Sequence, residues 1–198
     1  MKIMRKLGAV FSAACTLGIV YVGADAINQA QAAQNYITLE EQRVSVELEA
    51  QRFVAKLGED QLRCLAENIF FEARDQSIAG QVAVAWVTLN RVGAERFPDT
   101  ICGVVRQANR DSAGNIIRHQ CQFSWYCDGK SDRIPSNSIA QRAWEDAQLI
   151  AEVVLLDYAR GRVSPVADAT MYHAHYVSPY WADDYELVGV IGDHIFYR

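Results

Sequence analysis

The sequence has no surplus of positive charge: 19 Lys and Arg stand against 24 Asp and Glu in 198 residues, a formal charge of -5. Setting aside the first 32 residues leaves 16 basic and 23 acidic side chains. Binding to a phosphate backbone needs clustered Lys and Arg, so this balance argues against a nucleic-acid partner. It also removes any general electrostatic attraction to anionic polymers, which leaves recognition to a groove with stacking and hydrogen bonds. CxxC spacing is missing among the five cysteines, which counts against a structural zinc site. Neither an internal repeat nor a low-complexity tract interrupts the chain, so a single catalytic-sized domain is expected beyond the N-terminal segment.

What is present begins with Lys2, Arg5 and Lys6, an uncharged run from Leu7 to Ala24, and small residues around Ala24-Asp25-Ala26 and Ala30-Gln31-Ala32. This is the layout of an export signal. At about 18 residues the run is also near the lower length of a membrane span. Residues 1–32 are therefore expected to be a cleaved signal, a retained inner-membrane anchor, or a releasable anchor in which Cys15 is a regulatory thiol. Residues 33–58 read as a linker turning helical towards Phe53, Val54 and Leu57, or as an accessory helix packed on the domain. The other four cysteines form an even set, which in an exported chain reads as two disulfides. The pairings favoured among three are Cys121 with Cys127 and Cys64 with Cys102.

The centre of the chain is Cys64 to Val92. Leu62, Leu65, Ala66 and Ile69 recur at helical spacing, and Phe70 and Phe71 widen the stripe. Glu72 follows directly, and a second helical run extends from Ile78 to Val92. Glu72 thus falls at a helix junction beside aromatic rings, where burial favours the protonated carboxyl that a general acid needs. The alternative is a surface glutamate paired with Arg74.

Further along, Thr100 caps a short helix through Val105, and Asn109 to His119 reads as an exposed loop. Gln122, Phe123, Ser124 and Trp125 lie between Cys121 and Cys127, as either a sugar-binding loop or a short core strand. Ser136 to Arg160 is a helix with Ile139, Ala143, Ala147, Ile150, Val154 and Tyr158 on one face. Tyr172 to Tyr176 alternates as a strand, placing His173 and His175 together; with His194 they form a candidate zinc set. Leu187 to Ile191 and His194 to Tyr197 read as a hairpin around Gly192-Asp193.

Five blocks, FFEARDQSIAGQVAVAWVTLNRV, RFPDTICGVV, CQFSWYCDG, ATMYHAHYVSPYW and IGDHIFYR, resemble the SleB-type cell-wall hydrolases, whose founding members are spore cortex-lytic enzymes. The resemblance covers about Leu62 to Arg198 and implies an α+β, lysozyme-like fold, mostly helical with a small antiparallel sheet late in the chain. It implies a catalytic domain over residues 59–198, acting without a cofactor on peptidoglycan as an exported monomer in the periplasm or cell envelope. Glu72 matches the family's catalytic acid, and Gln122, Phe123, Ser124, Tyr172, His173, Tyr176 and Trp181 are the implied substrate-binding residues. The family often continues EARGE, whereas this chain reads Glu72-Ala73-Arg74-Asp75-Gln76, an amide in place of the second acid. The resemblance implies lytic transglycosylation between N-acetylmuramic acid and N-acetylglucosamine, in envelope remodelling or phage-encoded lysis, and a missing partner carboxylate favours it over hydrolysis, although a distant Asp168 or Asp184 remains a candidate. A zinc-dependent amidase using His173, His175 and His194, or a non-catalytic wall-binding protein, are the alternatives.

Overall fold

The computed structural model describes the backbone of residues 8–198 and the side-chain surroundings of Gly23 and residues 25–198. The expected signal or anchor therefore falls mainly outside the described side chains. Among the described residues no helix is long and apolar enough to cross a membrane.

The chain divides into two units, the second starting at Glu49. Helix α1 spans Gly8–Leu57, so residues 33–57 are helical. Helix formers such as Leu39-Glu40-Glu41-Gln42-Arg43 carry it, with an Arg43–Glu40 pair at 3.2 Å on the surface. The second unit starts inside this helix. In that unit Ala50 is buried and Phe53 meets Tyr158, ring centroids 6.1 Å apart.

Helices α2 (Glu59–Ala73) and α3 (Ile78–Val92) occupy the expected positions, and Ser77 caps α3 by accepting from the Gly80 N–H. Thr100 caps α4 (Ile101–Val105), and Asn137 caps the long α5 (Ser138–Ala159). The core joins Leu65, Ile69 and Phe70 of α2 to Trp86 and Val87 of α3, Val104 of α4 and Val154 and Leu155 of α5. Ile139 departs from expectation. It is 81% exposed, while Ala140, Ala143 and Trp144 pack partly buried against the core and the fully buried positions of α5 begin at Ala147. Cys64 is bonded to Cys102, tying α2 to α4, and Cys121 is bonded to Cys127 around a 3-10 turn, Ser124–Cys127.

Residues 109–119 are not one loop. Strands β1 (Ala108–Arg110) and β2 (Ile116–Cys121) pair antiparallel, with a register shift between Ala108 and Arg110. Asp111 Oδ1 accepts from the Ala113 and Asn115 N–H groups and folds the turn between them. A second sheet has the order β3-β5-β4, from β3 (Met171–Ala174), β4 (Leu187–Ile191) and β5 (His194–Tyr197), all antiparallel. The expected terminal hairpin is β4–β5. β3 ends at Ala174, so the alternation read through Tyr176 stops early, and His175 and Tyr176 lie beyond the strand, exposed.

Candidate active site

Glu72 is the penultimate residue of α2, half-buried against the late sheet. The Tyr172 hydroxyl, on β3, donates to its Oε2 at 2.9 Å. Burial raises the Glu72 carboxyl above its ordinary range, while the Tyr172 bond and the positive charge of Arg91 pull it partway back. Tyr172 itself is pushed well above the usual phenol range, first by burial and then by the neighbouring carboxylate, so it stays a donor.

Arg91 closes α3 on its buried stripe and is only 3% exposed. Its Nε donates to the Thr170 carbonyl at 2.7 Å, while its Nη1 is buried without a partner. The guanidinium lies 4.8 Å from the Phe123 ring centre, 5.4 Å from that of Phe97 and 6.0 Å from that of Tyr172. Burial lowers it to about 10, so it is charged at neutral pH.

The end of α2 is fixed from below and from the side. One turn before Glu72, buried Asn68 donates to Thr88 Oγ1 at 3.1 Å and accepts from Trp125 Nε1 at 3.0 Å. Phe71 stacks on Trp125, centroids 4.6 Å apart. After Glu72, Gln76 Nε2 donates to Asp193 Oδ2 and its Oε1 accepts from the Asp193 N–H, each at 3.1 Å. This clasp joins the α2–α3 turn to the tip of the β4–β5 hairpin. It accounts for the departure from EARGE: a carboxylate at position 76 could not donate, and would face that of Asp193.

The expected site residues separate into groups. Tyr172 reaches Glu72 directly. Phe123 is 2% exposed, its ring covering Arg91, so it cannot offer a face to a sugar. Gln122 is half-buried and Ser124 exposed, so both remain open to solvent. His173 is turned to the other face of β3 from Tyr172, stacked on Tyr197 at 5.3 Å and edge-on to Trp181 at 5.6 Å. Strand alternation thus takes His173 and Trp181 away from Glu72. Tyr176 is 80% exposed in the turn after β3, beside His175.

The zinc set does not assemble. His194 shares the Tyr172 face, centroids 5.1 Å apart, whereas His173 is on the opposite face and His175 outside the strand. No group of three His, Cys, Asp or Glu among the described residues could hold a metal. Arg91 and Asn68 escaped the sequence reading. Their available signal was a charged and an amide side chain on otherwise apolar helical stripes.

Replacing Tyr172 with Phe removes a bond that favours the carboxylate, so the Glu72 acid rises further and the alkaline limb of the activity profile moves to higher pH. Arg91→Met acts in the same direction and Arg91→Lys restores the limb, both read from kcat/KM against pH. An unmoved limb in Tyr172→Phe would show that Glu72 is not the titrating acid.

Residues 75–197 match the sequence profile of the cell wall hydrolase family, starting three residues after Glu72. The spore cortex-lytic enzyme of Oceanobacillus iheyensis is 43% identical over 48 residues, covering 24% of this chain and 17% of that protein. That of Bacillus subtilis is 43% identical over 44 residues, covering 22% and 14%. These alignments thus span less than a fifth of each curated relative. Among solved structures, the catalytic domain of the germination-specific lytic transglycosylase SleB from Bacillus anthracis aligns at 25% identity with a TM-score of 0.49, over 71% of this chain and 96% of that one. The Bacillus cereus SleB catalytic domain aligns at 26% identity and 0.47, over 71% and 91%. With its profile match extending over more than half of its length, the chain belongs to the cell wall hydrolase family.

Proposed function

We propose that the protein cleaves peptidoglycan glycan strands as a lytic transglycosylase, with Glu72 acting first as acid and then as base. The observation that carries this reading is one half-buried carboxyl, raised by burial, held by Tyr172 and faced by the charge of Arg91. A hydrolase needs a second carboxyl about 5–5.5 Å away if retaining or about 6.5–9.5 Å away if inverting. Several other acids are engaged elsewhere: Glu67 is paired with Arg63 at 2.9 Å and Arg106 at 3.4 Å, Asp193 is clasped by Gln76, and Asp168 is paired with Arg198 at 3.4 Å. Asp75 follows Glu72 by three residues in the same turn, too close in sequence to stand across a sugar.

In this mechanism neutral Glu72 gives its proton to the oxygen joining N-acetylmuramic acid to N-acetylglucosamine, and the bond from C1 to that oxygen breaks. The 6-hydroxyl of the muramoyl residue then attacks C1 and passes its proton to the Glu72 carboxylate. A 1,6-anhydro ring forms, Glu72 regains its proton, and no water is consumed. Tyr172 and Arg91 hold the carboxylate between the two steps, which keeps the second transfer within reach. Gln122, Ser124 and Tyr176, all open to solvent, are the proposed sugar contacts. Since peptidoglycan lies outside the cytoplasm, export through the N-terminal segment to the periplasm or envelope is part of the proposal, for remodelling or lysis.

Mass spectrometry of soluble products from purified peptidoglycan in oxygen-18 water tests it. Anhydromuramoyl ends without the heavy oxygen, formed equally with and without chelator, are expected. Heavy oxygen at a reducing muramic end would make the protein a hydrolase, and free stem peptides lost to chelator would make it an amidase.

A further inference from the structure

A pocket of about 390 Å³ opens on the β1–β2 hairpin. Its volume is within the range of about 300–1,000 Å³ typical of small-ligand sites. Four of its six lining residues are amides, Gln107, Asn109, Gln120 and Gln122, and none carries a charge. In a chain with 22% charged residues, a polar pocket with no charge selects for an uncharged polar ligand. Asn109 Nδ2 donates to Gln120 Oε1 at 3.2 Å, which leaves the amino group of Gln120 and the Oδ1 of Asn109 to meet a ligand. Gln107 Oε1 is buried without a partner, an arrangement that rotation of the terminal amide and a ligand N–H would relieve.

The backbone holds this array in place. His119 takes a left-handed φ of 61°, unusual outside glycine, and the β1–β2 ladder shifts register beside it. The Gln122 N–H donates to the Gln107 carbonyl at 2.9 Å, and the Cys121–Cys127 bond anchors the rim. Gln122, one of the lining residues, immediately precedes Phe123 in the chain, whose ring lies against Arg91.

We propose that this pocket is a second saccharide subsite, which takes an N-acetylhexosamine of the glycan strand by its acetamido group. An acetamido group presents one N–H donor and one carbonyl acceptor, and paired primary amides supply the complements of both. A stem peptide carries carboxylates and would call for Arg or Lys in the lining. The inference rests on the glycan-cleaving reading for the source of the sugar.

The test uses the full chain carrying Glu72→Gln, titrated with tri-N-acetylchitotriose and with cellotriose, which lacks the acetamido groups, and followed by NMR of side-chain amides. The expected result is saturable binding of the chitotriose, weakened at least tenfold in Asn109→Ala/Gln120→Ala, with cellotriose at least tenfold weaker on the parent. Asn109 and Gln120 are exposed, so the double change leaves the core intact, which an unchanged melting temperature checks. Equal affinity for the two sugars, or an affinity unaffected by the double substitution, would overturn the subsite while leaving the role of Glu72 standing. Chitotriose binding lost in the double variant, alongside full peptidoglycan cleavage by Glu72→Gln, would instead keep the subsite and remove the proposed reaction.

Discussion

Glu72→Gln lowers release of anhydromuramoyl products from purified peptidoglycan by roughly a thousandfold or more, with the fold intact. One positioned proton transfer contributes about 10²–10⁴ in rate, and in the proposed reaction the same carboxyl serves two transfers. Gln keeps the size of the side chain and an oxygen to accept from the Tyr172 hydroxyl, but has no proton to give. Stability moves the other way. Because burial holds the Glu72 carboxyl above its ordinary value, its contribution is fully present below the unfolded carboxylate range and is lost as pH rises through the folded value. The amide of the variant does not titrate and has no such loss. At neutral pH Glu72→Gln therefore unfolds at or above the parent temperature, and the difference closes in acid. An inactive variant that also melted earlier at neutral pH would show a structural glutamate rather than an acid.

Replacing Cys64 and Cys102 with Ala destabilises the domain by about 4 kcal/mol, a large part of the roughly 5–15 kcal/mol that holds a domain folded. The bond closes a loop with a sequence separation of 38, whereas Cys121 and Cys127 are separated by 6, and the same chain-entropy relation gives the shorter loop about 2 kcal/mol. Cys64 is 1% exposed, so loss of its sulfur also leaves a defect beneath α2. Denaturant midpoints of the two double variants check the ranking, and equal shifts would show that loop length does not govern the effect. Because α2 carries Glu72 at its far end, activity in reductant should decline with the fraction folded, not before it.

Helices α2 to α5 were legible from their apolar stripes, and Thr100 also marked the start of α4. Ser77 and Asn137 cap α3 and α5 without having been singled out, and α1 was not legible as one helix. β1 and β2 gave no such signal: their side chains are mostly solvated on both faces, so no alternation marks them. Phe123 misled because an aromatic residue between two cysteines fits a sugar platform and a core plug equally well, and only packing against Arg91 distinguishes them. Glu72 could be singled out by its place in the chain, but its environment could not. Arg91 is fixed by a carbonyl 79 residues away and Tyr172 lies 100 residues from Glu72, distances at which local pattern carries no information.

That separation of 100 residues also sets an order in time. A chain emerging from its N-terminal side delivers α2 and its carboxyl long before β3, and β3 pairs with β5, which comes later still. Until β5 arrives, Tyr172 has no strand to lie on, and Glu72 sits at the end of an uncovered helix as an ordinary solvated carboxylate. A partly made molecule thus holds the Glu72 carboxyl in the wrong protonation state for the proposed reaction, and the competence proposed for it is acquired late, as a property of the completed sheet.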